Sequence, residues 1–405
     1  MEEFGEQTAF CEPAWYQGFG SPYYTADHAA FRAKVRAFVD REIVPNVAKW
    51  EAQRGYPEEL HRKAYEAGVY AGRWPLEYGG TPPPGGWDTF YAIILSDELA
   101  RCGAGGVMAA LYSIDIGLPP VLAEGADEVK REIVPDIIRG NKIIALAITE
   151  PEGGSDVAAI RTTAVRQDGY YVVNGAKKFI TSGMRCSYFT TAVRTGGAGM
   201  QGVSLLVIPR HLEGVRTLKL ATQGWHSSNT ALVSFNDVRV PVKYLLGAEN
   251  DGFKAIMVNF NGERLGIAVM ANRYARICLR ESIRFAQKRQ TFGRPLIKRQ
   301  VIRHKLSDMA RRVECTHAMI ENVANVMNVS NDMKAGRMVA LLKVEATDTF
   351  EFCAKEASQI LGGASYLSSG VGATVERLYR EVRVLAIGGG STEIMKDLSI
   401  GLARL

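Results

Sequence analysis

Apolar positions recur with two different periods along the chain, and the change of period divides it. In FRAKVRAFVDREIV, Phe31, Val35, Phe38 and Val39 recur at helical spacing and Pro45 punctuates the run, so residues 25–142 are predicted to be helical. From about Ile143 to Asn250 the apolar runs become short and β-rich, separated by turn signals at Asp168-Gly169, at Asn174-Gly175 and in the Gly196–Gly202 loop before VSLLVIP. LVSFNDVRVPV closes that stretch. Helical periodicity returns at Gly252 and runs to the end, broken at FGRPL (Phe292–Leu296), at NVSND (Asn328–Asp332) and at Gly362-Gly363. Four or five such helices make a bundle. The expected fold class is mainly α with an inserted small antiparallel β-domain, in three domains: an N-terminal helical domain 1–142, a middle β-domain 143–250 and a C-terminal helical bundle 251–405.

Composition adds few constraints. With 405 residues, 47% hydrophobic and 23% charged, the chain is long enough for two or three packed domains and reads as soluble and globular. Its 49 basic and 43 acidic residues are dispersed, which speaks against a nucleic-acid patch but suits an acidic partner or the phosphates of a coenzyme. Cys11, Cys102, Cys186, Cys278, Cys315 and Cys353 are far apart and form no CxxC pair, so a reducing compartment and no metal are expected. His304 and His317 fall in a predicted helix as surface or satisfied core positions. No apolar run reaches the length of a membrane span, and the acidic opening MEEFGEQTAF is unlike a transit or signal peptide, so a mature start without membrane insertion is expected. Ala403-Arg404-Leu405 is chemically close to the SKL peroxisomal address, which sets a peroxisome beside the cytoplasm of a prokaryote and the mitochondrial matrix as candidate locations.

Two stretches carry candidate chemistry. In ITEPEGGSDV the apolar run Ile143–Ile148 stops at Thr149, and Gly153, Gly154 and Ser155 then supply backbone freedom and donors, as close approach to a flat, polar-edged cofactor requires. Further on, Ile256, Phe260, Glu263, Ile267, Met270 and Tyr274 step by four, three, four, three and four residues, which sets Glu263 on an apolar helix stripe. A carboxylate there needs a task or a partner, so it is either a catalytic base or one half of a structural ion pair. Gly388-Gly389-Gly390 permits a flexible turn.

The spaced motifs PLEYGG (Pro75–Gly80), DELAR (Asp97–Arg101), ITEPEGGSDV, NGAKKFITSG (Asn174–Gly183), FNDVRVP (Phe235–Pro241), RQTFG (Arg289–Gly293), SQILGG (Ser358–Gly363) and GGGSTEI (Gly388–Ile394) together resemble the acyl-CoA dehydrogenase family. The resemblance runs from about Tyr24 to the C-terminus. It implies an α-domain, a β-barrel and a helical bundle, and FAD-dependent α,β-dehydrogenation of an acyl-CoA thioester to a trans-2-enoyl-CoA. In that reaction a glutamate takes the α-proton while hydride passes to flavin N5. Many members carry the base in a Tyr-Glu-Gly-Thr run near the C-terminus, where this chain has Gly389. The branch resembling isovaleryl-CoA and long-chain acyl-CoA dehydrogenases places it on an earlier helix before an arginine, which points to Glu263 in NGERLG (Asn261–Gly266).

By the same resemblance, Gly389 leaves room for that carboxylate and offers its N–H to the thioester carbonyl, Gly388 widens the pocket, and Ser155, Asn261, Arg264 and Gly390 face the substrate. Leu146, Ile148, Thr149, Ser155, Phe179, Ile180 and Thr181 correspond to the isoalloxazine side of FAD. Arg289, Thr291, Phe292, Gln300, Gln359, Gly362, Gly363, Ser391 and Glu393 correspond to the remaining FAD contacts, some made across a subunit boundary, so a homo-oligomer (tetramer or dimer) is implied. The implied acceptor is an electron-transfer flavoprotein or similar. Glu152-Gly153 where relatives have Gly-Ala, Ala364-Ser365 after the Gly pair and His226 in place of a frequent Arg speak against a standard straight-chain substrate; the resemblance implies fatty acid β-oxidation with a branched-chain acyl-CoA among the candidates, and no motif encodes chain length or branching. The rivals are an acyl-CoA oxidase of the same fold, whose members are mostly longer, and a non-catalytic flavoprotein binding module.

Overall fold

The computed structural model describes residues 4–330 and 332–403, so Arg404 and Leu405 of the C-terminal tripeptide lie outside the described residues. The chain divides into two compact units. One takes the residues up to Asp40, Asp88–Ala104 and everything from Arg264 on; the other takes Arg41–Trp87 and Gly105–Glu263.

The first unit is helical. Its first helix, Ala26–Phe38, starts where Thr25 and His28 cap each other's backbone N–H groups, and it buries Phe31, Val35 and Phe38 as the spacing predicts. Thr89–Ala100 starts on Asp88, whose carboxylate accepts from the N–H groups of Phe90 and Tyr91. The bundle comprises the helix Gly252–Lys288 from Arg264 on, then Gln300–Val329, Asp332–Leu361, Ala373–Ile387 and Thr392–Ala403. FGRPL breaks the helices by forming a small hairpin: Gln290–Thr291 pairs with Arg294–Pro295, and Phe292 (φ 49°) and Gly293 (φ 73°) make the two-residue turn.

Buried charge fastens the N-terminal arm to this unit. Arg36 Nε and Nη2 donate to the two oxygens of Glu98, each at 2.8 Å, and Arg273 Nε donates to Asp97 at 2.8 Å. Glu12 sits between the two arginines, 2.9 Å from Arg36 Nη2 and 2.7 Å from Arg273 Nη1. Burial alone would raise its pKa, but the two guanidinium groups outweigh that and hold it down to about 2. The DELAR motif is therefore half of an ion-pair anchor.

The second unit holds short helices, among them Val47–Gln53, Ser113–Gly117 and Asp127–Ile138, and one eight-stranded sheet. Its strands are β1 Ile144–Ala147, β2 Thr163–Gln167, β3 Tyr170–Ile180, β4 Tyr188–Arg194, β5 Val203–Pro209, β6 Val215–Lys219, β7 Ala231–Pro241 and β8 Leu245–Leu246. The order is β6-β7-β3-β2-β4-β5-β8, with β1 on β4. Pairing is antiparallel except for β1 beside β4 and the one β2–β4 pair, Thr163 with Arg194. β5 is buried along its whole length, in keeping with the continuous apolar run VSLLVIP.

Asp168 (φ 43°) and Gly169 (φ 84°) make the β2–β3 turn as expected. Asn174-Gly175 does not turn the chain. It lies inside β3 at a shift of register against β7, and the Asn174 amide exchanges two 2.9 Å hydrogen bonds with Asp237 across the strands. The dipeptide forms a bulge because a side chain on the partner strand satisfies it in place.

Candidate active site

In the sheet unit, a buried lysine organises the loop that follows β1. Strand β3 turns Tyr171, Val173 and Lys177 to the buried side, and Lys177 Nζ donates to Ile148 O at 3.0 Å and to Glu150 Oε1 at 2.7 Å. Glu150 also accepts from the backbone N–H groups of Arg161 (2.7 Å) and Thr162 (2.9 Å). Burial pulls the Lys177 pKa down to about 8 against the opposing pull of Glu150. Thr149 is tied to the same strand, its O accepting from Lys178 N at 2.8 Å and its hydroxyl donating to Lys178 O at 2.5 Å. Ile148 and Thr149 are thus brought against the start of Phe179-Ile180-Thr181, with Leu146 two residues back on β1. A second shift of register turns Phe179 outward at φ 64°, leaving its ring 61% exposed. Ser155 is exposed further along the loop.

Glu263 is half-buried, as are Phe260 and Ile267 on its stripe, while Ile256, Met270 and Tyr274 are buried. The stripe therefore sinks at its ends and opens around the carboxylate. Asn259, one turn earlier, donates from Nδ2 to Glu263 Oε1 at 2.9 Å and lies 3.3 Å from Ile116 O. Asn261 is buried.

In the helical unit, Arg264 is buried and its Nε donates to Gly389 O at 2.9 Å. Gly389 has φ 68°, and a Cβ there would lie 2.8 Å from Ile267 Cδ1 and 3.6 Å from Arg264 Cγ. Gly390 has φ 110°. Gly388 ends the helix Ala373–Ile387, and a Cβ on it would meet Val384 O at 3.1 Å. Lys343 lies behind the turn with its side chain fully buried, Nζ donating to Ala386 O and Gly390 O, both at 2.7 Å. Burial, reinforced by the charge of Arg264, lowers its pKa to about 8.

The other expected FAD residues of this unit lie on three separate segments. Arg289, Thr291 and Phe292 form the hairpin and Gln300 starts the helix after it, with Leu296 N donating to Arg289 O at 2.7 Å. Gln359, Gly362 and Gly363 are exposed where Asp332–Leu361 ends. Ser391 and Glu393 open the last helix, where the Ser391 hydroxyl accepts from Ile394 N at 3.4 Å and the Glu393 carboxyl is held low by backbone and Ser391 hydrogen bonds. These residues fit FAD. Thr291 Oγ1 is a buried hydroxyl with no partner among the described residues, Arg289 beside it is an exposed cation suited to a pyrophosphate, and Phe292 stands 96% exposed at the tip. Among the described residues no cluster of His, Cys, Asp or Glu is arranged to hold a metal ion, and no single helix is long and apolar enough to cross a membrane.

Sequence reasoning missed Lys177, Lys343 and Asn259. The signal for both lysines was present as phase: Lys343 shares a stripe with Val339, Ala346, Phe350 and Cys353, spaced four, three, four and three residues apart and all fully buried.

Three sequence models of one family match this chain: acyl-CoA dehydrogenase N-terminal domain over residues 25–141, middle domain over 145–238 and C-terminal domain over 250–400. The chain is 38% identical to an acyl-CoA dehydrogenase of Alternaria alternata, with 98% of this chain and 96% of that protein covered. It is 30% identical to the mitochondrial long-chain specific acyl-CoA dehydrogenase of Sus scrofa, with 93% and 86% covered. The solved structure of an acyl-CoA dehydrogenase from Geobacillus kaustophilus is similar at a TM-score of 0.90 and 29% identity, covering 95% of this chain and all of that one (100%).

Proposed function

The chain belongs to the acyl-CoA dehydrogenase family, and from that premise we propose that Glu263 is the base that takes the α-proton of a bound acyl-CoA thioester. One observation supports this most directly: position 389 cannot carry the base. It is a glycine at positive φ, its Cβ direction runs into Ile267, and its carbonyl is held by Arg264, the residue next to Glu263 in the chain. The half-buried Glu263 is open enough to meet a ligand and is oriented by Asn259. An acid at the α-carbon of a thioester is weak, so the carbonyl must be hydrogen-bonded as charge develops on it; the Gly389 N–H is assigned that task.

FAD is the cofactor of this family, and when bound it accepts the β-hydrogen as hydride at N5. The loop Ile148–Thr149, Phe179-Ile180-Thr181 and Ser155 are read as its holders in the sheet unit. Arg289, Thr291, Phe292, Gln300, Gln359, Gly362, Gly363, Ser391 and Glu393 are read as its holders in the helical unit. The exposed tip residue Phe292 and the unpartnered Thr291 hydroxyl support a contact made to a second copy of the chain, in a dimer or tetramer. The position of the base on the earlier helix favours a branched or long acyl group, with an electron-transfer flavoprotein as acceptor.

The test is anaerobic bleaching of bound FAD by isovaleryl-, butyryl- and palmitoyl-CoA, run on the wild type and on Glu263→Gln. The variant should keep its yellow FAD complex and be reduced about a thousandfold more slowly. Reduction at the wild-type rate would move the base elsewhere.

A further inference from the structure

The buried ammonium of Lys343 has no part in the chemistry assigned above, yet it touches the turn that chemistry uses. Its two acceptors, Ala386 O and Gly390 O, flank the turn, and Arg264 takes the Gly389 carbonyl between them. Ala386 O is among the last four carbonyls of the helix Ala373–Ile387, which have no partner within their own helix, and a cation at that end is favoured by the helix dipole. Gly389 and Gly390 both sit at positive φ and, unheld, would sample many conformations. In a trans peptide the C=O and N–H point to opposite sides, so holding the carbonyls at 389 and 390 turns the N–H groups of the following residues away from the cations. The peptide that carries the Gly389 N–H lies in the chain between the held carbonyls of Ala386 on one side and of Gly389 and Gly390 on the other. A buried lysine is costly where no acceptor requires it, and an apolar residue would suit the stripe of Val339, Ala346 and Phe350 better.

We propose that Lys343 is a positioning residue, whose double hydrogen bond to Ala386 O and Gly390 O keeps the Gly389 N–H aimed at the thioester carbonyl of the substrate. The proposal rests on the reading of that N–H given above. The depressed pKa of Lys343, about 8, agrees with a group kept in the interior for its donors.

The test uses the FAD-loaded enzyme and a 3-thia-acyl-CoA labelled with carbon-13 at the carbonyl, which has no β-hydrogen to give up. Isotope-edited infrared spectra of the bound analogue report how strongly its carbonyl is polarised. In the wild type the band should move to lower frequency than in free thioester. Lys343→Met should lose at least about half of that displacement and slow flavin reduction by true substrate about tenfold to a hundredfold, less than the loss of an oxyanion donor itself, with little change in analogue affinity. Lys343→Gln, which keeps one donor, should fall between. An undisplaced wild-type band would overturn the reading of the turn and the proposal with it. A wild-type displacement kept in full by Lys343→Met would overturn the proposal alone. Failure of both variants to give FAD-loaded protein would assign Lys343 to folding and equally overturn it.

Discussion

Gly389→Ala separates the two constraints that act at the centre of the turn. The first is torsional: φ 68° places an alanine in the left-handed region, at a cost of roughly 1–2 kcal/mol. The second is steric: the new Cβ would lie 2.8 Å from Ile267 Cδ1, the end of a half-buried side chain that can move aside for about 1 kcal/mol of rotamer strain. Together they amount to about 2–3 kcal/mol, read as a lower urea midpoint for the FAD-loaded protein. Ile267→Val removes the offending methyl and leaves φ untouched. A double-mutant cycle should therefore recover about 1 kcal/mol and no more. Zero coupling between the two substitutions, or full recovery of stability, would refute the geometry on which both constraints rest.

Glu12 makes an acid-sensitive contribution. Its pKa is about 2 in the folded chain against an ordinary 4.5, so its stabilisation of about 3 kcal/mol is complete above pH 4.5 and is lost as pH falls from there toward 2. Glu12→Gln should lower stability at pH 7 and flatten that part of the acid unfolding curve measured by circular dichroism; an unchanged curve would show the carboxylate to be unimportant. Lys177→Met should strand the Glu150 carboxylate and loosen the Ile148–Thr149 loop, at a cost of roughly 3 kcal/mol. The purified variant should carry less FAD per chain, and pairing it with Glu150→Gln should restore part of the loading; full FAD content in the single variant would contradict the loop's role.

Helix phase was the most readable property of the sequence. It located the Phe31–Val35–Phe38 stripe and singled out Glu263, because both depend on residues a turn apart in one element. The same periodicity marks Lys343, but a lysine on an apolar stripe gives no hint of its acceptors, which lie 43 and 47 residues further along the chain. The Asn174-Gly175 error has a similar cause: the residue that keeps the dipeptide inside a strand is Asp237, 63 positions away. The apolar stripe that carries Glu263 is buried at Ile256, Met270 and Tyr274 but only half-buried at Phe260 and Ile267, a difference that depends on what packs around the helix and not on its own period.

The Glu12 anchor has a consequence for biosynthesis. Its partner Arg273 lies 261 residues downstream. At about 5–20 residues per second, roughly 13–50 s pass between the making of the acid and the making of Arg273, the second of its two guanidinium partners. During translation the arm that carries Glu12 thus emerges well before its seat between Arg36 and Arg273 is complete. Closing that long loop is a late step of folding, and the beginning of the chain settles only after most of the rest has been made.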